Sequence, residues 1–415
     1  MLERREIMFG MRWRLFRLLG IPVSVDMSWL LILALFTLSF AERFPTMLHD
    51  SFPRDTGELA PADYWIMGLV TALAFFVCIV LHEFGHALVA RARGMPINGI
   101  TLFLFGGVSE LGEEPKSAGT EFLMAIAGPL VSAILAIVFS GVAMVAYEAG
   151  WPHPVVIVLG YLATINGIVL IFNMVPAFPL DGGRVLRSIV WGVTGNLRQA
   201  TRWASAAGQV FAWMLIALGV FQLFCHHILI GAFDVMIGLF LYGAAQSGYQ
   251  QVLIRQALQG EPVRRFMNPD PIVVAPTLDL LNWVEDVVYR YHHRAFPVVA
   301  NGRLQGMITT QAINRIPHED WAHHNVGEMM SCDLRSVSIT ASADALEALE
   351  KMQRTGSSRL LVTQGDRLLG MLSLKDLLRF LNLKLELEAG DDVPTLKNRN
   401  GRLSGSIEDE EHLGT

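Results

Sequence analysis

Residues 64–91 read YWIMGLVTALAFFVCIVLHEFGHALVAR. A membrane-crossing helix needs about 20 mostly apolar residues, and this stretch supplies them. It closes on Leu81-His82-Glu83-Phe84-Gly85-His86-Ala87, which is H-E-x-x-H within a helical pattern. Positions i and i+4 share a helical face, so His82 and His86 can hold one metal ion. Glu83 lies beside them, placed to take a proton from water at such a metal. The plainer reading is a polar helix end inside a bundle. An ionisable group at the bilayer centre costs roughly 2.5–3.5 kcal/mol on insertion scales, so three together call for a function.

The rest of the chain extends this pattern. Of 415 residues, 52% are hydrophobic and 17% charged, with mean hydropathy +0.41. That argues against a purely soluble or largely disordered protein. Apolar runs at 24–41, 64–91, 121–147, 154–175, 205–224 and 228–247 give six spans. The last two are divided at Cys225-His226-His227, so one span plus a re-entrant piece is the alternative. With the N-terminus inside, segments 1–17, 91–118 and 184–202 carry five, three and four bases. The outside segments carry only Arg43 and Arg54, which puts both termini on the cytoplasmic side. The basic N-terminus lacks a small-residue cleavage site, so 24–41 reads as a retained first span. The net charge of -6 argues against a nucleic-acid partner. Cys78, Cys225 and Cys332 are too scattered for a disulfide framework or a cysteine-based metal site.

A catalytic zinc needs a third protein ligand. Span four ends in Phe172-Asn173-Met174-Val175-Pro176-Ala177-Phe178-Pro179-Leu180-Asp181-Gly182-Gly183. Its prolines break the helix and put Asp181 on an irregular segment. Spans two and four run in the same direction, so His82, His86 and Asp181 lie at similar depth toward the cytoplasmic side. A helix-end turn aspartate is the ordinary alternative. Ile100-Thr-Leu-Phe-Leu-Phe105, Gly106-Gly107 and Val108-Ser-Glu-Leu111 predict a membrane-associated β-hairpin.

The set His82-Glu83-Phe84-Gly85-His86, Asn173, Pro176, Pro179 and Asp181-Gly182, with Ala127-Gly128-Pro129 in span three, resembles the site-2 protease family of intramembrane zinc metalloproteases. The resemblance covers roughly residues 10–250. It implies Zn2+ held by His82, His86 and Asp181, with Glu83 as general base. It also implies a role for Asn173 in holding substrate or stabilising the oxyanion. The hairpin then gains a use, because an unwound substrate can pair with an edge strand; the 100–105 strand is the candidate.

After Tyr249 the composition changes. Residues 263–318 and 326–381 form an internal repeat. Phe266-Met267-Asn268 aligns with Met329-Met330-Ser331, and Leu304–Thr309 aligns with Leu368–Ser373. Each unit reads strand, helix (280–293 and 344–355), two strands, helix. The pair resembles a tandem cystathionine-β-synthase-type (CBS) module, a soluble α/β unit. That resemblance implies an adenine nucleotide (ATP, ADP or AMP) at Gly370, Ser373 and Asp376. The first unit keeps Thr309 but has Ala312 where the aspartate belongs, so one competent site is expected. A purely structural dimerisation module is the alternative. Residues 386–415 hold eight acids and three bases and read as a disordered tail. The paired histidines at 226–227, 292–293 and 323–324 read as surface or loop residues.

The expected whole is a polytopic α-helical membrane protein of about six spans, with a membrane-associated β-hairpin and a C-terminal CBS module. Its expected activity is cleavage of a single-span, membrane-tethered protein within or near its span, in a bacterial cytoplasmic membrane, with a homodimer formed through the CBS domains. The competing reading is a CBS-regulated transporter or channel with intramembrane His, Glu and Asp on an ion path. No two-half repeat across the spans supports it. A third reading, an inactive relative that only binds membrane proteins, conflicts with the intact motif.

Overall fold

The computed structural model describes residues 12–53, 59–103, 106–111, 114–226, 228–314 and 316–388. The chain divides into two compact units near Val252. In the first, strands β1 (Arg12–Leu18) and β2 (Ile21–Asp26) precede helices α1 (Ser28–Ser51) and α2 (Pro61–Ala92). Strands β3 (Ile97–Phe103) and β4 (Gly106–Leu111) follow, then α3 (Ala118–Glu148), α4 (His153–Asn173), α5 (Asp181–Thr194), α6 (Leu197–Phe224) and α7 (Ile228–Leu258). Six of these helices are long and apolar enough to cross a membrane. The fold is therefore a polytopic helical membrane unit followed by an α/β module.

The 98–111 hairpin is part of something larger. β3 and β4 pair antiparallel, but β3 also pairs parallel with β2, through Val23–Ile100, Ser24–Thr101 and Val25–Leu102. β1 adds antiparallel to β2, giving a four-stranded sheet in the order β1-β2-β3-β4. This corrects two expectations. Span one starts at Ser28 rather than 24, because residues 12–26 form a second hairpin. Its tight turn puts Leu19 and Gly20 at φ 47° and 85°, the left-handed pair a two-residue hairpin turn requires. The 100–105 strand cannot receive a substrate strand either, since β3 is hydrogen-bonded on both sides and residues 104–105 lie outside the described set. The sheet edge beside α2 belongs to β4.

The sheet anchors α2. Val23, Val25 and Leu102 pack with Ile32, Phe76 and Val80. Ile21 and Ile100 pack with Phe84 and Ala87, on the turn that carries the histidine motif. Two further corrections concern residues 174–202. α6 begins at Leu197 rather than 205, since its first turns hold Arg198 and Arg202 and escape a search for apolarity. Asp181 is not in the irregular segment but is the first residue of α5. The irregular backbone is confined to 174–180, and Gly182 and Gly183 press against it. A Cβ on Gly183 would lie 2.2 Å from Phe178 N, and one on Gly182 would lie 2.4 Å from the Val175 carbonyl.

In the second unit, β5 (Ala295–Ala300) pairs with β6 (Arg303–Thr309), and β7 (Ser338–Thr340), β8 (Arg359–Gln364) and β9 (Arg367–Ser373) form a three-stranded sheet. The repeats exchange arms. Asn268 of the first bridges to Met371 of the second, and Ser331 of the second bridges to Met307 of the first. A shared core of Ala295, Leu304, Met307, Val337, Leu361 and Met371 lies between them. The final helix runs Leu374–Glu388, so residues 386–388 of the expected tail are helical; 389–415 lie outside the described residues.

Candidate active site

α2 and α5 bring three donor atoms together. His82 Nε2 lies 3.0 Å from Asp181 Oδ2, His86 Nε2 lies 3.2 Å from the same oxygen, and the two Nε2 atoms are 3.3 Å apart. No other cluster of three or more His, Cys, Asp or Glu among the described residues could hold a metal ion. Ligands around a tetrahedral zinc at about 2.0–2.1 Å stand about 3.3 Å from one another, which matches this triangle.

The hydrogen bonds behind the rings decide their chemistry. His86 Nδ1 lies 2.7 Å from the Met124 carbonyl, an acceptor only, so Nδ1 carries the proton and donates. A neutral His86 ring then turns a bare Nε2 lone pair toward a carboxylate oxygen and the second imidazole. Lone pairs converging at this distance are the arrangement a metal ion is bound by. His82 Nδ1 faces Ser132 Oγ at 2.8 Å, which fits the same tautomer. The space for the cation is present as well. A Cβ on Gly128 of α3 would lie 2.2 Å from His86 Nε2 and 2.6 Å from His82 Nε2, so any larger residue would put a carbon where the ion belongs. The residues therefore fit a zinc ion.

Around this cluster lies a cavity of about 640 Å³, lined by residues that include His82, Glu83, His86, Asn173 and Asp181, with Phe36, Phe75, Phe103, Phe172, Phe233 and Phe240 on its apolar walls. Glu83 and Asn173, both named from the motifs, thus share one chamber with the three donors. Gly107 of β4 faces Glu83 so closely that a Cβ there would lie 2.6 Å from Glu83 Cγ. The sheet edge therefore sits directly against the general-base candidate.

The residues named for nucleotide in the second unit have local partners. Ser373 Oγ and N both donate to Asp376 Oδ2, and Asp376 N donates back to Ser373 Oγ. This is a reciprocal N-terminal cap on the Leu374–Glu388 helix. A Cβ on Gly370 would lie 2.5 Å from the Asn268 carbonyl, so that glycine makes room for the exchanged arm. Thr309 occupies the equivalent cap position in the first repeat but makes no side-chain cap bond, and the helix after it has only four residues, Thr310–Ile313.

Residues 70–152 and 139–218 match the model of peptidase family M50, and 263–319 and 326–383 match that of the CBS domain. A Synechocystis protein whose name provisionally marks it as a zinc metalloprotease is 34% identical over 88% of this chain and 94% of its own length. The chain belongs to peptidase family M50. A zinc metalloprotease of Methanocaldococcus jannaschii is 29% identical over 90% of this chain and 98% of its own. A solved site-2 protease structure from that organism is 29% identical, with TM-score 0.39, covering 57% of this chain and 94% of its own. This M50 peptidase is a site-2-protease-like zinc metalloprotease of the membrane with tandem CBS domains, and the transporter or channel reading is set aside.

Several residues of the M50 centre escaped the motif reading. Ser132 and the Met124 carbonyl meet the histidines from α3, and Gly107 meets Glu83 from β4. Gly128 was visible only as part of Ala127-Gly128-Pro129, and Gly107 only as part of the hairpin's Gly106-Gly107, a pair that lies inside β4. Neither Ser132 nor Met124 announces itself by type or spacing, because each becomes relevant only once α3 is packed against α2.

Proposed function

We propose that this peptidase cleaves a peptide bond of a single-span, membrane-tethered protein within or near its span, with His82, His86 and Asp181 as zinc ligands and Glu83 as general base. The observation that carries this reading is the convergence of three donor atoms, with room for one ion, inside an apolar chamber that also holds Glu83. Bound zinc would polarise the scissile carbonyl and acidify the attacking water. Glu83 takes the water's proton and passes it to the departing amine, so hydroxide adds to the carbonyl carbon as the C–N bond breaks. Asn173, at the end of α4, lines the same chamber, which supports a role for its amide as donor to the substrate carbonyl.

A peptide in this chamber must be extended, because a helix shields its own amides. β4 is the terminal strand of the sheet order, which supports pairing of its outer edge with that peptide next to Glu83, in the manner of strand addition. Leu102 is buried and paired on both flanks, so a proline there would break the sheet rather than test its edge. Charge asymmetry supports both termini in the cytoplasm, as in a bacterial cytoplasmic membrane. In the CBS module, the same proposal gives one adenine nucleotide to Gly370, Ser373 and Asp376, with Thr309 as the weaker counterpart, and lets the module dimerise.

The test is cleavage of a reconstituted single-span substrate by the unmodified protein and by Glu83→Gln. Cleavage abolished in the variant, with zinc retained, is the expected result. Equal cleavage by both would remove Glu83 from the chemistry. For the second unit, calorimetry with ATP, ADP and AMP on the unmodified protein and Asp376→Ala applies. Absence of heat with all three nucleotides in the unmodified protein would remove the nucleotide proposal.

A further inference from the structure

α3 supplies no candidate ligand, yet residues 121, 124, 128 and 132 follow the three- and four-residue spacing that stacks positions along one helical stripe. Each meets a different part of the centre. Ser132 Oγ lies against His82 Nδ1, and the Met124 carbonyl accepts from His86 Nδ1. Gly128 leaves the space into which both Nε2 atoms point. Glu121 accepts from Nε and Nη2 of Arg187 on α5, the helix that begins at Asp181.

Helix packing alone does not account for the Glu121–Arg187 pair. Glu121 is fully buried and Arg187 is 7% exposed. Desolvation of two such charges offsets most of their attraction, and apolar side chains would pack α3 on α5 equally well. Glu121 Oε2 also has no hydrogen-bond partner. What a carboxylate and a planar guanidinium add is a fixed direction. The Arg187 guanidinium lies 5.5 Å from the ring centre of Phe178 in the segment that feeds α5. Phe178 is itself held by its N–H, which donates to the Ala204 carbonyl at 3.1 Å. Arg187 thus ties α5 and its incoming backbone to α3.

We propose that α3 is the template of the metal centre. Ser132 and the Met124 carbonyl orient the two histidines, and Glu121–Arg187 sets α5 so that Asp181 points at them. This inference rests on the reading of His82, His86 and Asp181 as zinc ligands. Ser132, Glu121 and Arg187 are positioning residues, acting through the ligands. His82 donates its Nδ1 proton to Ser132 Oγ, which keeps Nε2 turned toward the ion.

The test uses full-length protein in detergent. Zinc affinity is measured by competition with a chromogenic chelator, and ligand geometry by the visible spectrum of the Co2+-loaded protein. Ser132→Ala and the double variant Glu121→Met/Arg187→Met should each bind zinc about 10–100-fold more weakly, the usual effect of losing an outer partner of a metal ligand. Both should alter the cobalt bands while melting close to the unmodified protein. Ser132→Thr keeps the hydroxyl and should return affinity to within about threefold. The double variant removes both charges together, so no unpaired ion is left buried; a merely structural pair would leave affinity unchanged. If it does not fold, Arg187→Lys, which keeps the charge but loses the planar fork, carries the same expectation for the pair, and unchanged zinc affinity in it would overturn the pair's role. Unaltered zinc affinity and cobalt spectrum in the folded variants would overturn the template. No zinc in the unmodified protein would overturn the ligand reading itself, and the template with it.

Discussion

Two polar clusters stand out from the sequence, and the structure treats them differently. In the membrane unit, His82, His86 and Asp181 converge with their hydrogen-bonding capacity turned toward one another. In the second unit, Ser373 and Asp376 satisfy each other and the first turn of their helix. The first cluster turns its donor atoms onto a space that fits one ion, whereas the second is a finished cap. Three ligand-type donor atoms within bonding distance of one point form a metal-binding arrangement, so the membrane cluster points to a ligand. The cap would exist with or without one. The difference shows why motif residues carry unequal weight as functional evidence: what matters is whether the fold itself has used up their bonding capacity.

The largest effect expected on that contrast is at Glu83. Glu83→Gln should lower kcat by about 10²–10⁴-fold, as loss of a general base does, with zinc content unchanged in elemental analysis. Zinc lost along with activity would instead make Glu83 part of the ion's support. Gly128→Ala puts a methyl into the ion's space, and its zinc affinity should fall below that of any outer-partner variant, beyond about 100-fold. A chelator titration matching the unmodified protein would show that the converging atoms are not the ligands. Gly107→Ala pushes on Glu83 from β4 while sparing the three donors. Its kcat should fall by up to about 10²-fold, as displacements near 1 Å do, with unchanged zinc affinity.

At the second cluster the effects are smaller and appear as stability. Asp376→Ala removes the reciprocal cap and should cost about 1 kcal/mol, seen as a lower urea midpoint for the CBS unit. Ala312→Asp installs the missing partner of Thr309 and should add about 0.5 kcal/mol by the same measurement. If Asp376→Ala leaves the midpoint unmoved, the cap is not what Asp376 supplies, and the ligand reading gains.

Much of this was legible in the chain. The spans were readable because a bilayer imposes length and apolarity, and H-E-x-x-H because helical spacing alone brings two imidazoles to one face. The repeat offsets of 63 and 64 residues became visible as the exchanged bridges Asn268–Met371 and Ser331–Met307. The β1–β2 hairpin was missed because Arg14 and Arg17 read as a charge flank of the first span, and Leu19 is not a residue type that signals a left-handed turn position. α5 was missed because its Arg184 and Arg187 counted as loop charges; one of them is buried against Glu121. Ser132 and Glu121 have no local signature. Their roles arise from which helix packs on which, and a period of 3.6 residues does not encode that.

Elemental analysis of the detergent-purified, full-length protein, unmodified and as Asp181→Ala, tests the central claim most directly. The account predicts about one zinc per chain in the first and strong loss in the second, since a catalytic site draws three protein ligands. Zinc retained in full by Asp181→Ala, or none in the unmodified protein, would contradict it.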